Sequence, residues 1–247
     1  GWKNYVRTFT DAGVSGPFLQ IFVWNVAFAF LSVLLSFLLG FVLACLMQWE
    51  KLKFRGVYRL FLILPYAVPG FISILVFRGL FNQEFGEINL LLEALLGIKP
   101  AWFTDEWLAR TMLIIVNVWL GFPYMMILAM GLLQAVPKDL YEASAIDGAG
   151  PVSNTFRITL PIILTPFWPL LIASFAFNFN NFVIVRLLTD GRPDILGAST
   201  PAGSNDLLAS YTYRIAFLDS GQDFGLASAI ATLIFLMVAA IALVPLK

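Results

Sequence analysis

The chain has 247 residues, of which 60% are hydrophobic and only 12% are charged. Soluble domains average about 25% charged residues, so this composition excludes an ordinary soluble domain and predicts a polytopic membrane protein. The net charge is zero, which gives no indication of a nucleic-acid partner. A single cysteine, Cys45, excludes a disulfide within the chain, and the commonest metal ligand, histidine, does not occur. The chain begins at Gly1 without a signal-peptide pattern, and we expect it to belong to a longer polypeptide.

Five runs without charged residues are each long enough to cross a hydrocarbon core of about 30 Å as a helix. They predict an all-α membrane bundle with five transmembrane helices. Two glycines and a proline near the start of the first run predict a loop, so we expect its helix to begin near Phe18. The five runs are Ala12–Trp49, Leu60–Phe77, Thr111–Pro137, Ile158–Val185 and Phe224–Leu246.

Basic residues predict the orientation of the bundle. Short loops rich in lysine and arginine lie on the cytoplasmic side, so we expect the loop after the first run to be cytoplasmic. Alternation then places Lys138–Arg157 and Lys247 on the same side. Trp24 and Trp49, near the two ends of the first run, fit the aromatic belts of a membrane helix. The basic cluster of that loop is Lys51, Lys53, Arg55 and Arg59.

Two segments on the opposite side have recognisable patterns. Apolar residues at helical spacing between Ile88 and Leu95, followed by Gly97, predict a short amphipathic helix on the outer surface. Residues 191–206 are rich in turn formers and predict an irregular, exposed loop.

Uncharged polar residues recur at spacings of three and four in the third and fourth runs, so on helices each set would share one face. Asn180 falls on a different face of the fourth. Such residues often hydrogen-bond between helices. They also suit a site for a neutral solute with many hydroxyl groups, because amides both donate and accept and aromatic rings can stack on a sugar. Spacing alone leaves both interpretations open. The two stripes are Asn117, Leu120, Gly121 and Tyr124, and Ser174, Phe177, Asn178 and Asn181.

Prolines interrupt two of the predicted spans. Pro65 and Pro69 lie in the second, and Pro161, Pro166 and Pro169 in the fourth. Proline kinks a membrane helix and frees carbonyl groups that neighbours must satisfy. Each proline alone is typical of an ordinary membrane helix, and the two clusters together favour a hinged transport bundle.

The predicted cytoplasmic loop between the third and fourth runs, residues 137–161, carries a motif. Pro137 suits the first position of a short helix and Gly148 suits a left-handed stop. The loop resembles that of the permease subunits of binding-protein-dependent ABC importers, which reads Glu-Ala-Ala, three residues, Gly, nine residues, Ile, any residue, Leu-Pro. Ser144 replaces the second alanine, a small-for-small change. The matching residues are Glu142, Ala143, Ser144, Gly148, Ile158, Leu160 and Pro161.

This resemblance implies that the loop is the coupling helix, which docks on a cytoplasmic ATPase. The segments "ILPYAVPGFISIL", "NVWLGFPYMMIL" and "SFAFNFNNFV" are also similar to the larger permease subunit of maltose/maltodextrin importers. That likeness implies a type I importer fold, with residues 1–17 ending a periplasmic segment and residues 18–247 forming the transmembrane domain. The ATPase-coupling residues so implied are Glu142, Ala143, Ser144, Asp147 and Gly148. The implied sugar-binding residues are Leu120, Gly121, Tyr124, Ser174, Phe177, Asn178 and Asn181.

The implied function is import of maltose and maltodextrins across the bacterial inner membrane by alternating access. The implied partners are a second permease, two ATPase subunits, a periplasmic sugar-binding protein and membrane lipid. The chain would bind no cofactor, since ATP and magnesium belong to the ATPase subunits. A permease for another neutral sugar remains an alternative. An ion-coupled transporter would need an ionisable residue within a span. A membrane enzyme would need an acid, a base or a metal cluster there. The five runs contain neither.

Overall fold

The computed structural model describes residues 1–218 and 222–244 of the chain. Within them every regular element is a helix, and β pairing is limited to one isolated bridge between Asp194 and Gly203. The expected all-α fold is therefore confirmed. Lys247 and the end of the fifth run at Leu246 lie outside the described residues.

Four helical segments are long and apolar enough to cross a membrane, and a bent pair of helices can form a fifth span. The predicted five spans are reached when this bent pair counts as one. A π-helical turn, Thr155–Thr159, joins α8 to α9. The helices are α1 Lys3–Thr10, α2 Ala12–Gln48, α3 Arg55–Ala67, α4 Gly70–Leu80, α5 Glu87–Leu96, α6 Glu106–Leu133, α7 Lys138–Ile146, α8 Pro151–Asn154, α9 Leu160–Phe179, α10 Phe182–Leu188, α11 Leu208–Phe217 and α12 Phe224–Ala242.

The first span begins earlier than expected. The prediction of a loop before Phe18 is wrong, because α2 is helical from Ala12. Asp11 caps it by accepting a hydrogen bond from the Gly13 N–H at 3.0 Å. A cap contributes about 1 kcal/mol, which offsets the cost of a glycine within a helix.

Helices α2 and α6 form the centre of the bundle. At Gly40 they come so close that a Cβ atom there would lie 2.6 Å from the backbone nitrogen of Met126. Trp24 of α2 is buried in this packing and is only 6% exposed, so its assignment to an aromatic belt is wrong. Its ring packs in an apolar cluster and lies under the guanidinium of Arg110, 4.9 Å from the ring centroid, and this cation–π contact favours the inward position. Trp49 is exposed.

The amphipathic helix predicted from Ile88 is confirmed as α5, which ends at Gly97 with φ of 69°. Residues 191–206 are irregular, but the prediction that they are exposed is wrong for Ala202–Asp206, which are buried. Their turns fold around the carboxylate of Asp206, which accepts hydrogen bonds from the Gly203 N–H, the Ser210 hydroxyl and Arg214 at 2.7–2.8 Å. Burial raises the pKa of Asp206, and these donors oppose that rise.

Candidate binding cavity within the bundle

A cavity of about 630 Å³ lies between the helices, within the range of small-molecule binding sites. All seven residues predicted to bind a sugar line it, so the structure brings the two stripes together: Leu120, Gly121, Tyr124, Ser174, Phe177, Asn178 and Asn181. The lining residues include no charged side chain. That they contact a ligand stays a prediction.

One wall of the cavity comes from the break in the second span. The prolines predicted a kink, and the structure has a full break between α3 and α4, whose axes are bent by 95°. The chain is extended at Val68 and Pro69, so the turns of α3 do not continue into α4. Tyr66 before the break and Phe71 after it both line the cavity. Sequence analysis missed them, and the only signal was the proline pair that brackets Tyr66.

Another wall of the cavity contains a second break. The prediction that one helix carries both Asn178 and Asn181 is wrong, because α9 ends at Phe179 and Asn181 has extended φ and ψ before α10. The Phe179 carbonyl accepts a hydrogen bond from Asn25 of α2 at 2.9 Å instead of one from a following helical turn. Both asparagines nevertheless line the cavity. Asn180 is exposed and is not among the lining residues.

Side-chain amides from α6 and from the fourth span meet at this second break. Asn178 donates to the backbone carbonyl of Ser174 at 2.9 Å. Asn117 of α6 donates to Asn178 Oδ1 at 2.7 Å and accepts from Asn181 Nδ2 at 3.4 Å. We call this series, from the Ser174 carbonyl through Asn178 and Asn117 to Asn181, the amide chain. Asn117 belonged to the predicted stripe but not to the predicted ligands.

Aromatic rings also border the cavity. Tyr124 stacks on Tyr66 with ring centroids 6.4 Å apart and an interplanar angle of 20°, so one face of Tyr124 is covered. Phe177 is 73% exposed and has no aromatic ring partner among the described residues. Gly121 allows close approach here, since a Cβ atom at this position would lie 2.9 Å from Ser36 Oγ on α2.

The predicted coupling loop forms α7 at one end of the bundle. Glu142, Ala143 and Asp147 are exposed, Ser144 is half-buried, and no residue of α7 is buried. Gly148 has φ of +77°, as predicted for a left-handed stop.

Pro137 does not occupy the first helical position of α7. It is the residue before the helix, with extended backbone angles that proline readily adopts. Tyr141 joins α7 to the fourth span, because its hydroxyl lies 2.7 Å from Thr159 Oγ in the π-helical turn. The loop is therefore attached to the span through one side chain and presents its other faces to solvent.

A family model described as "Binding-protein-dependent transport system inner membrane component" matches residues 36–246. The chain belongs to this family. As an inner membrane component, it has the multi-pass helical architecture and the motif-bearing loop expected of its permeases.

Similar proteins refine the family assignment. The chain is 67% identical over its whole length to the maltose/maltodextrin transport system permease protein MalF of Escherichia coli, and 66% identical to that of Photorhabdus laumondii. It spans about half of their length, 48% in both cases. A crystal structure of a bacterial ABC transporter involved in import of the acidic polysaccharide alginate has a TM-score of 0.82, covering 98% of this chain and 81% of that one at 21% identity. At that identity the likeness establishes the fold, that of an ABC importer permease.

Proposed function

We propose that this chain is the membrane core of a permease subunit that imports maltose and maltodextrins across the bacterial inner membrane. The observation that carries the proposal is the uncharged cavity, which amide groups from α6 and from the broken fourth span border together with exposed aromatic rings. Identity of 67% to maltose/maltodextrin permeases supports the choice of sugar.

The chemistry of the lining suits a neutral sugar. Amides and the Ser174 hydroxyl can both donate to and accept from sugar hydroxyls, while the free ring of Phe177 can stack on the apolar C–H face of a pyranose. A charged solute would lack a counter-charge among the lining residues, and desolvating it would cost several kcal/mol.

Transport would be driven by partner proteins. We infer that the exposed helix α7, with Glu142, Ala143, Ser144, Asp147 and Gly148, docks on one of two cytoplasmic ATPase subunits that bind ATP and magnesium. A second permease would complete the pathway, and a periplasmic binding protein would deliver the sugar. ATP and the loaded binding protein would both favour the outward-open state, which gives alternating access. The chain itself would perform no bond chemistry, and the described residues hold no group of three potential metal ligands.

The test is sugar uptake by the full-length permease, reconstituted in proteoliposomes with its partner subunits. We expect ATP-dependent and binding-protein-dependent uptake of maltose and maltotriose, but not of lactose or glycerol phosphate. Uptake of a different neutral sugar in place of maltose would favour the alternative, because the loop motif does not discriminate between sugars. Uptake without ATP would contradict the importer mechanism altogether.

A further inference from the structure

The amide chain has a fixed direction. A backbone carbonyl can only accept hydrogen bonds, so the Asn178 group that lies 2.9 Å from the Ser174 carbonyl must be its NH₂. Asn178 Oδ1 therefore points at Asn117, whose NH₂ must donate to it. Asn117 Oδ1 is then left for Asn181, which must supply its own NH₂. Rotating any of these amides by 180° would bring two acceptors or two donors face to face.

This direction determines what remains for a ligand. Each NH₂ carries two donors and each amide oxygen has two acceptor sites. Asn178 and Asn117 therefore each keep one N–H and one acceptor site, while Asn181 keeps one N–H and its whole carbonyl oxygen. Without a fixed neighbour, an asparagine amide can present either end to a sugar. With the chain in place, the cavity offers a defined pattern of amide donors and acceptors.

Asn117 is the central member of this arrangement. It is 7% exposed, and its two polar atoms contact Asn178 and Asn181, which lie on either side of the break after α9. It comes from α6, whereas the two asparagines come from the fourth span. Both hydrogen bonds are partly buried, and partial shielding from water strengthens them and helps to hold the amides in one orientation.

We propose that Asn117 is a positioning residue that sets the orientation of the Asn178 and Asn181 amides and thereby the hydroxyl pattern that the cavity accepts. The proposal deepens the proposed function and rests on it for the identity of the ligand. The ligand class is a neutral sugar whose hydroxyls accept from Asn178 and both donate to and accept from Asn181.

The experiment is a double-mutant cycle in the full-length permease, assembled with its partners, using uptake rate per complex at saturating loaded binding protein. We expect Asn117→Ala to lower uptake about five- to tenfold. In an Asn178→Ala background, Asn117→Ala should lower the uptake rate only about twofold, because the hydrogen-bond partner of Asn117 at position 178 is already gone. As a control, Asn180→Ala removes an exposed amide next to Asn181 and should leave uptake unchanged.

A second readout does not depend on transport. The midpoint of thermal unfolding of the purified complex should fall for Asn117→Ala and for Asn178→Ala, and the two losses should not add, since both changes remove the same hydrogen bond. Fully multiplicative effects on uptake would overturn the proposal, and additive losses of thermal stability would reject the hydrogen bond on which it rests. Wild-type uptake in Asn117→Ala would also overturn the proposal.

The two proposals fail in different ways. If the wild type carries another neutral sugar, maltose import is wrong, and the cycle is measured with that sugar. If the wild type carries maltose but the cycle is multiplicative, the positioning role of Asn117 is wrong and the proposed function stands. If the wild type carries no sugar, the thermal cycle still tests the amide chain. Losses of the unfolding midpoint that add would show that Asn117 and Asn178 do not interact, and losses that do not add would show that they do.

Discussion

A single hydrogen-bonding side chain in α2, Asn25, satisfies the end of one helix and the beginning of another. Its amide NH₂ donates to the Phe179 carbonyl at 2.9 Å, where α9 ends, and its Oδ1 accepts the Leu208 N–H at 2.8 Å, where α11 begins. Helix ends leave such backbone groups without partners, and hydrocarbon offers no water to replace them. Asn25 therefore stabilises the break that positions Asn181 at the cavity.

We expect Asn25→Leu to destabilise the assembled permease by about 2–4 kcal/mol, because two buried backbone groups lose their partner. The midpoint of thermal unfolding should fall by roughly 5–10 °C. Ser32→Ala is the matched control, since Ser32 is fully buried in the same helix and its hydroxyl has no partner in the described part of the chain. Equal losses in both variants would mean that Asn25 acts through packing alone.

The cavity predicts different roles for neighbouring asparagines. Asn181 lines it, whereas Asn180 is exposed and points elsewhere. Asn181→Ala should lower sugar uptake at least about fivefold, because a buried ligand hydroxyl loses a partner worth about 1–3 kcal/mol. Asn180→Ala should retain uptake, with equal membrane abundance of both variants established by immunoblotting. A loss in Asn180→Ala as large as that in Asn181→Ala would contradict the lining seen in the structure.

The exposed ring of Phe177 should contribute to sugar binding by stacking its face on the sugar. Phe177→Leu keeps an apolar side chain but removes the ring, so we expect uptake to fall several-fold. Tyr124→Phe keeps both the ring and its stacking on Tyr66, and should have a milder effect. Uptake assays of both variants at equal abundance make the comparison. Wild-type uptake in Phe177→Leu would remove ring stacking from the proposed mode of binding.

The sequence predicted much of the site because its polar stripes follow local spacing. Ser174, Phe177 and Asn178 lie on one face of α9 as the helical period requires. Asn181 reaches the cavity for another reason, since the helix ends two residues before it. That break depends on Asn25, which is 154 residues away along the chain and shares no local pattern with it. Contacts over such separations leave no periodic signal.

Residues whose positions were predicted wrongly are also fixed by contacts with distant parts of the chain. Tryptophan is typical of an aromatic belt, yet the ring of Trp24 packs against Arg110 of another helix inside the bundle. The turn-rich segment that ends at Asp206 looks exposed by composition, yet Arg214 and Ser210 supply donors that allow its burial. In both cases a tertiary partner for a polar or amphipathic group outweighs the local preference.

Acid should weaken the contact between α1 and α12. Although burial of Asp223 raises its pKa, hydrogen bonds from the Leu226 N–H and Arg7 outweigh that effect and lower the pKa below the ordinary value of 3.8. A carboxylate with a lowered pKa stabilises the folded state above its unfolded pKa, and this contribution is lost as pH falls through the folded value.

Asp223→Asn keeps a capping side chain but removes the charge that pairs with Arg7. The midpoint of thermal unfolding should therefore be lower than in the wild type at neutral pH, and the difference should close below about pH 3.8 as the wild-type carboxylate is protonated. Asp139→Asn, at an exposed carboxylate of α7 without an ion pair in the described residues, serves as control. A difference that persists unchanged into acid would exclude the charge as its cause.

Gly148 provides the test of the coupling loop. Its φ of +77° lies in the left-handed region, which a β-branched residue strongly disfavours. A Cβ atom there would meet nothing within 4 Å, so Gly148→Val strains the backbone without a steric clash. We expect strain of at least about 1–2 kcal/mol at the turn that follows α7, with insertion into the membrane unchanged.

Gly150→Val is the matched control, because Gly150 also has open space around its Cβ position but has φ of −84° and ψ of 169°, angles that valine adopts readily. The measurement is ATP hydrolysis by the purified complex, with and without loaded binding protein, beside sugar uptake. Gly148→Val should lose most of the stimulation and most of the uptake, while Gly150→Val should keep both. Direct sugar binding should be equal in the two variants, because the cavity lies within the bundle and α7 at its end. Normal stimulation in Gly148→Val would make the loop a simple connector, and the proposed function would then rest on the cavity alone.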